Sequence, residues 1–165
     1  MWTVIDSPVG DLRIVENAGA ITAIEFSPFR DHDGRPRGVR VDDPEAPDYP
    51  AVLARAVTQL RAYFDRDLKE FDLPLAPSGT EFQQAVWRQL IDIGYGETAS
   101  YGEIARRLGK SNAASRAVGL ANGSNPIPIV IPCHRVIGAD GTLTGYAGGI
   151  ERKQALLEIE QDALF

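Results

Sequence analysis

Cysteine is almost absent from this chain: 165 residues hold one, Cys133. A single thiol excludes an intramolecular disulfide and fits a reducing compartment. Histidine is nearly as scarce, with His32 and His134 alone. No zinc-type Cys/His spacing occurs, so neither a metal nor a cofactor is expected. No apolar run approaches the roughly 18 residues of a membrane span. The start, Met1-Trp2-Thr3-Val4-Ile5-Asp6, lacks the basic-then-apolar pattern of a secretory signal. Sequence repeats, low-complexity tracts and a phosphate-binding glycine loop are also missing. Positive charge is in deficit, with a net charge of −6, which argues against indiscriminate nucleic-acid binding. These absences together predict a cytoplasmic protein with no membrane association.

The charge that is present is uneven. Residues 100–139 carry Arg106, Arg107, Lys110, Arg116 and Arg135 against Glu103 alone. That stretch, which leads to the cysteine, is where a phosphate backbone would be engaged. Composition also shifts at Pro74-Leu75-Ala76-Pro77-Ser78-Gly79, which reads as a linker. Two domains are therefore expected, an α/β domain over 1–76 and a mainly helical one over 80–165. In the first, Trp2–Ile5, Leu12–Glu16 and Ile21–Phe26 have strand composition and make a three-stranded antiparallel meander. Residues 51–65 follow as a helix with apolar positions at helical spacing. Residues 29–50, polar and rich in proline and glycine, read as a long mobile loop or an excursion with short edge structure. His32 falls there as a surface histidine.

In the second domain, Thr80-Glu81-Phe82-Gln83 is a capping box opening a helix that buries Phe82, Val86, Trp87, Leu90 and Ile91. Ser100-Tyr101-Gly102-Glu103 is another, opening a short helix that Gly109 stops. A third helix is expected over about 113–122. The pair reads as a helix-turn-helix. The second helix is small-residued except for Arg116 and for Val118 and Leu120, both expected to face the core. Such a smooth face suits sequence-tolerant approach to a groove; close helix packing is the alternative. The last helix, from about Ile150, is expected to turn Leu156, Leu157 and Ile159 inward and Arg152 and Lys153 outward.

Between these helices lies Pro126-Ile127-Pro128-Ile129-Val130-Ile131-Pro132-Cys133-His134-Arg135-Val136. Three prolines fix φ and bias their preceding residues toward extended geometry. A stiff, buried, extended path ending in a thiol, an imidazole and a guanidinium is expected. A thiol with an ordinary pKa near 8.5 needs that value lowered or a base to take its proton. His134 can act directly or through a bridging water, because neighbours on a strand point to opposite faces. A carboxylate near a helix C-terminus opposes the macrodipole, so Glu160 either pairs with a buried histidine, giving a Cys133–His134–Glu160 relay, or is solvated. An inert buried cysteine is the alternative to any chemistry.

Pro132-Cys133-His134-Arg135-Val136, preceded by Asn125-Pro126-Ile127-Pro128 and Arg116-Ala117-Val118-Gly119, resembles the O6-alkylguanine-DNA alkyltransferases. The resemblance covers roughly residues 80–165. It implies direct-reversal DNA repair: a base flipped from duplex DNA passes its O6-alkyl group, or an O4-alkyl group of thymine, to Cys133 once and without regeneration. It implies Cys133 as nucleophile, His134 as base through a water, Glu160 as the group that orients His134, and Asn125 as the brace of the active-site turn. Arg116 would fill the vacated stack, with Ala114, Ser115, Ala117 and Gly119 along the minor groove. Tyr101 would crowd the phosphate and reach the guanine. Val136, Ala147 and Gly148 would offer backbone to the base, and Pro128 and Tyr146 would wall its pocket. The implied partner is double-stranded DNA, met by a monomer, with cooperativity along DNA left open. Ala147 departs from relatives with a hydroxyl there, the turn between Tyr101 and Arg116 is a residue longer than in some, and the N-terminal zinc of some relatives has no cysteine to bind it here. A helix-turn-helix regulator and a Cys-His-Glu hydrolase are the competing readings.

Overall fold

The computed structural model describes residues 1–162 and divides the chain into two compact units meeting at Pro77 and Ser78. In the first, β1 (Trp2–Ile5), β2 (Leu12–Asn17) and β3 (Ala20–Phe26) form an antiparallel sheet in sequence order. Strand β2 is central and buried from Leu12 to Glu16. Helix α1 (Ala51–Phe64) packs on this sheet through a stripe of Val52, Leu53, Ala56, Leu60 and Tyr63. The i, i+3, i+4 spacing of those residues is what puts them on one face. Each fully buried Leu or Ile stabilises the unit by about 1.5–3 kcal/mol.

The segment between β3 and α1 is irregular yet anchored. Trp2 N–H donates to Val39 O at 3.0 Å and accepts from Val41 N–H at 2.8 Å through its own carbonyl. Arg37 grips Glu25 and Asp33, each through two hydrogen bonds of 2.6–2.9 Å. Arg13, on β2 and only 2% exposed, donates to Glu25 and Asp31 and lies between the Trp2 and Phe29 rings. The edge structure, rather than free mobility, describes residues 29–41; His32 is exposed.

In the second unit the capping box forms as the sequence predicts. Gln83 N–H donates to Thr80 Oγ1 at 3.1 Å and Thr80 N–H to Gln83 Oε1 at 2.9 Å, opening α2 (Glu81–Ile91). Strand β4 (Ala99–Ser100) runs into α3 (Tyr101–Arg107), where Ser100 Oγ accepts from Glu103 N–H. Gly109, at φ +74°, stops α3 in the left-handed conformation that glycine tolerates best. A single 3-10 turn, Asn112–Ala114, precedes α4 (Ser115–Gly123), so the second helix begins later than expected. Strand β5 (Val136–Ile137) pairs parallel to β4, and α5 (Ile150–Asp162) closes the described chain.

Several expectations fail. Ile91, at the end of α2, is not buried; it is 50% exposed. The cysteine segment is not extended: residues 126–131 coil through turns and Cys133–Arg135 is a 3-10 turn. Ile131 N–H reaches back to Ile127 O at 2.9 Å and Cys133 N–H to Ile131 O at 2.7 Å. Local proline bias lost to closure of these turns and burial of every residue from Ile127 to Val136. Leu120 does not face the core; it is 70% exposed. Lys153 does not face solvent; it is wholly buried beside Leu156 and Glu160, while Leu157 and Ile159 are half-buried.

Candidate active site

Cys133 sits where four elements converge. Asn122 on α4 donates through Nδ2 to Cys133 O at 3.3 Å, tying the second helix of the helix-turn-helix to the cysteine turn. Asn125 holds that turn from within. Its Oδ1 accepts from Ile127 N–H at 3.0 Å and its Nδ2 donates to Ile131 O at 2.8 Å. The loop so held carries Ile129 at φ +73°, a left-handed conformation that costs a β-branched residue about 1–3 kcal/mol. Parallel pairing of β5 with β4 then sets the exit from the turn beside the start of α3.

Beneath the turn lies a buried charge cluster. His134 Nε2 lies 3.0 Å from Glu160 Oε1, the histidine being wholly buried and the glutamate 1% exposed. Arg135 donates to the same carboxylate three times, through Nε at 3.0 and 3.2 Å and Nη2 at 2.6 Å, and its Nη1 donates to Ile93 O at 2.6 Å. Burial would raise the Glu160 carboxyl, but hydrogen bonds from His134 and Arg135 outweigh it and hold the group below its ordinary value. Burial lowers His134 despite the carboxylate, so the imidazole is neutral at pH 7. With Nε2–H directed to Glu160, Nδ1 is the free acceptor, and it has no hydrogen-bond partner among the described residues.

The thiol is 2% exposed, and burial pushes it up to about 11. Hydrogen bonds from the Asn125 and Tyr146 side chains and the charge of Lys153 act in the opposite sense without prevailing. Lys153 Nζ donates to Val136 O at 2.5 Å and Thr144 O at 3.1 Å, joining the strand after the cysteine to the loop before α5. The resting sulfur is therefore a neutral thiol. A thiol in that state needs a base when it reacts.

The other residues singled out in the sequence fall in two groups. Pro128 and Val136 are buried within the cysteine turn, and Tyr146 and Gly148 are half-buried in the 144–149 loop, where Ala147 is exposed. Tyr101 caps the helix-turn-helix side, its hydroxyl 2.8 Å from Thr144 Oγ1. A Cβ at Gly119 would stand 3.7 Å from the Tyr101 ring, so the glycine lets α4 lie close to that tyrosine. Arg116 and Ala117 are exposed, and Ala114 and Ser115 half-exposed, at the start of α4 and the turn before it. Sequence reasoning missed Asn122, the clamp role of Arg135 and the burial of Lys153. The only signal for the last two was their position, beside His134 and seven residues before Glu160.

A buried thiol, a neutral histidine and a clamped glutamate, hung on a helix-turn-helix, define a cysteine-centred acceptor built onto a DNA-binding scaffold. Family models agree over both units: the 6-O-methylguanine DNA methyltransferase DNA-binding domain matches residues 81–162, and its ribonuclease-like domain matches residues 1–77. A methylated-DNA–protein-cysteine methyltransferase of Mycobacterium tuberculosis is 50% identical over 97% of this chain and 92% of its own. One of Methanosarcina acetivorans is 44% identical over 96% and 97%. The crystal structure of Mycobacterium tuberculosis OGT in complex with DNA superposes with a TM-score of 0.83 at 49% identity, covering 98% of this chain and 93% of that one. The chain belongs to the 6-O-methylguanine DNA methyltransferase family.

Proposed function

We propose that this protein repairs duplex DNA by moving the alkyl group of O6-alkylguanine to the sulfur of Cys133. The observation that carries the reading is the Cys133 turn itself: one rigidly held thiol, bonded through its carbonyl to α4, above the His134–Glu160–Arg135 cluster. Relatives named for this transfer, and a DNA complex of one of them, support it.

The step balances without a cofactor. A new S–C bond forms as the C–O6 bond breaks, and the electron pair leaves with the guanine oxygen. The thiol proton passes to His134 Nδ1, by way of a water, and a proton is returned to the departing guanine. Glu160 accepts from Nε2–H, holding the tautomer and stabilising the imidazolium that forms. Arg135 keeps Glu160 ionised while it does so. The product thioether is a poor leaving group, so each molecule acts once.

The guanine reaches the sulfur by leaving the stack, which costs a few kcal/mol. Exposed Arg116 fills the gap, and Tyr101, Ala114, Ser115, Ala117 and Gly119 line the minor-groove approach. Pro128, Val136, Tyr146, Ala147 and Gly148 surround the base. The protein acts as a monomer in the cytoplasm; no helix among the described residues is long and apolar enough to cross a membrane.

Intact mass after incubation with duplex carrying O6-methylguanine tests this. One methyl gained per molecule on Cys133, with no further turnover, is the expected result. Repeated turnover, or no gain, would refute it.

A further inference from the structure

A single exposed leucine needs no explanation by itself. Leu120 is different in its position. It is 70% exposed on α4, one turn past Arg116, with exposed Ala117 and Gly123 three residues to either side. Arg116 and Leu120, at i and i+4, share one face. Together they are the two side chains that rise from an otherwise flat helix. The basic residues Arg106, Arg107 and Lys110, all exposed, precede this helix and supply the charge complement of a phosphate backbone.

We infer that Leu120 is a specificity-determining contact that makes repair depend on the base pairs beside the lesion. This rests on the proposed minor-groove approach of α4. Four residues of helix advance about 6 Å, and base pairs are spaced about 3.4 Å. Leu120 therefore meets the groove floor within about two base pairs of the Arg116 finger. There the guanine N2 amine stands up from a G·C pair, whereas A·T presents flat acceptors. An isobutyl group pressed onto that floor collides with the amine and strips it of water, but fits over A·T. Apolar side chains used in the minor groove by other DNA-bending proteins act on the same surface.

The test compares transfer rates from two O6-methylguanine duplexes that differ only at the two pairs on each side of the lesion, all A·T or all G·C. The ratio within one protein cancels the active fraction, so a folding defect cannot imitate the effect. The wild type should favour the A·T duplex by about five-fold or more, and Leu120→Ala should bring the ratio close to one. A wild-type ratio near one, or a Leu120→Ala ratio equal to the wild type's, overturns the inference while leaving the proposed function intact. Failure of the wild type to accept alkyl from either duplex would instead overturn the proposed function.

Discussion

Arg135 and Glu160 form a buried ion pair in the second unit, three hydrogen bonds of 2.6–3.2 Å onto one carboxylate. The geometry matters because Glu160 serves His134 through the same Oε1. Replacing Arg135 with Met strips the buried carboxylate of its guanidinium clamp. Breaking such a pair from one side costs about 3–5 kcal/mol. Urea unfolding of Arg135→Met should show that loss, with the transfer rate falling as Glu160 takes up a proton. Arg135→Lys keeps the charge but not the fork and should recover only part of the stability. Equal stability of wild type and Arg135→Met would show that the clamp contributes nothing.

Lys153 gives a different signature, because its partners are the carbonyls of Val136 and Thr144. Lys153→Met retains the length of the stem and removes the ammonium that joins them. A buried carbonyl left unpaired costs about 1–3 kcal/mol, so urea unfolding should show a loss on that scale. Unchanged stability would show that the ammonium does not hold the two segments together.

Much of this fold is legible in local sequence signals. The Thr80–Gln83 box, the Gly109 stop and the strand composition of the first three segments act over a few residues, and the structure follows them. What was illegible is buried charge. Arg13, Arg135 and Lys153 sit inside because remote carboxylates and carbonyls pair with them, and no periodicity rule anticipates that. The inward stripe of α5 reads Lys153, Leu156, Glu160, which looks like a solvated face until the 3-10 turn is laid against it. The Leu120 error was avoidable. Residues two apart on a helix do not share a face, so burial of Val118 already turned Leu120 outward. The pairing of His134 with Glu160 was the readable part of the site, since each belongs to one short motif or a helix end.

Asn125 braces a strained turn, and its loss should appear in stability before activity is considered. Asn125→Ala orphans the Ile127 N–H inside the protein and takes one of two donors from the Ile131 carbonyl, which keeps Cys133 N–H. A buried unsatisfied group costs about 1–3 kcal/mol, so thermal or urea unfolding should show a loss of that size. The left-handed Ile129 backbone then has less to hold it. A loss below about 0.5 kcal/mol, the scale of an ordinary surface change, would mean the turn holds itself.

Under the proposed function Arg116 acts on the stack and not on the chemistry, so its effect should depend on the substrate. Arg116→Ala should slow transfer from a paired lesion about tenfold more than transfer from free O6-benzylguanine, as the finger recovers part of the flipping cost. Competition between the two substrates in one tube measures the difference. Equal slowing of both would remove the finger role.

The pH dependence of transfer discriminates the base most directly. His134 accepts a proton only while neutral, and burial lowers its folded pKa below the ordinary 6.5. The rate plateau should therefore extend below pH 6.5 and fall only on further acidification. Glu160 raises the histidine against burial, so Glu160→Gln should move the acid limb lower still while reducing the plateau. Stability shifts in the same direction and must be measured alongside. His134 and Glu160 both have folded pKa values below their unfolded ones. Their contributions are thus present above the unfolded values and lost as pH falls through the folded values. Rates of stoichiometric methyl transfer between pH 4.5 and 8, corrected for the folded fraction at each pH, separate the two effects. A wild-type limb at or above 6.5, or one that Glu160→Gln moves upward, would exclude His134 as the group that receives the thiol proton.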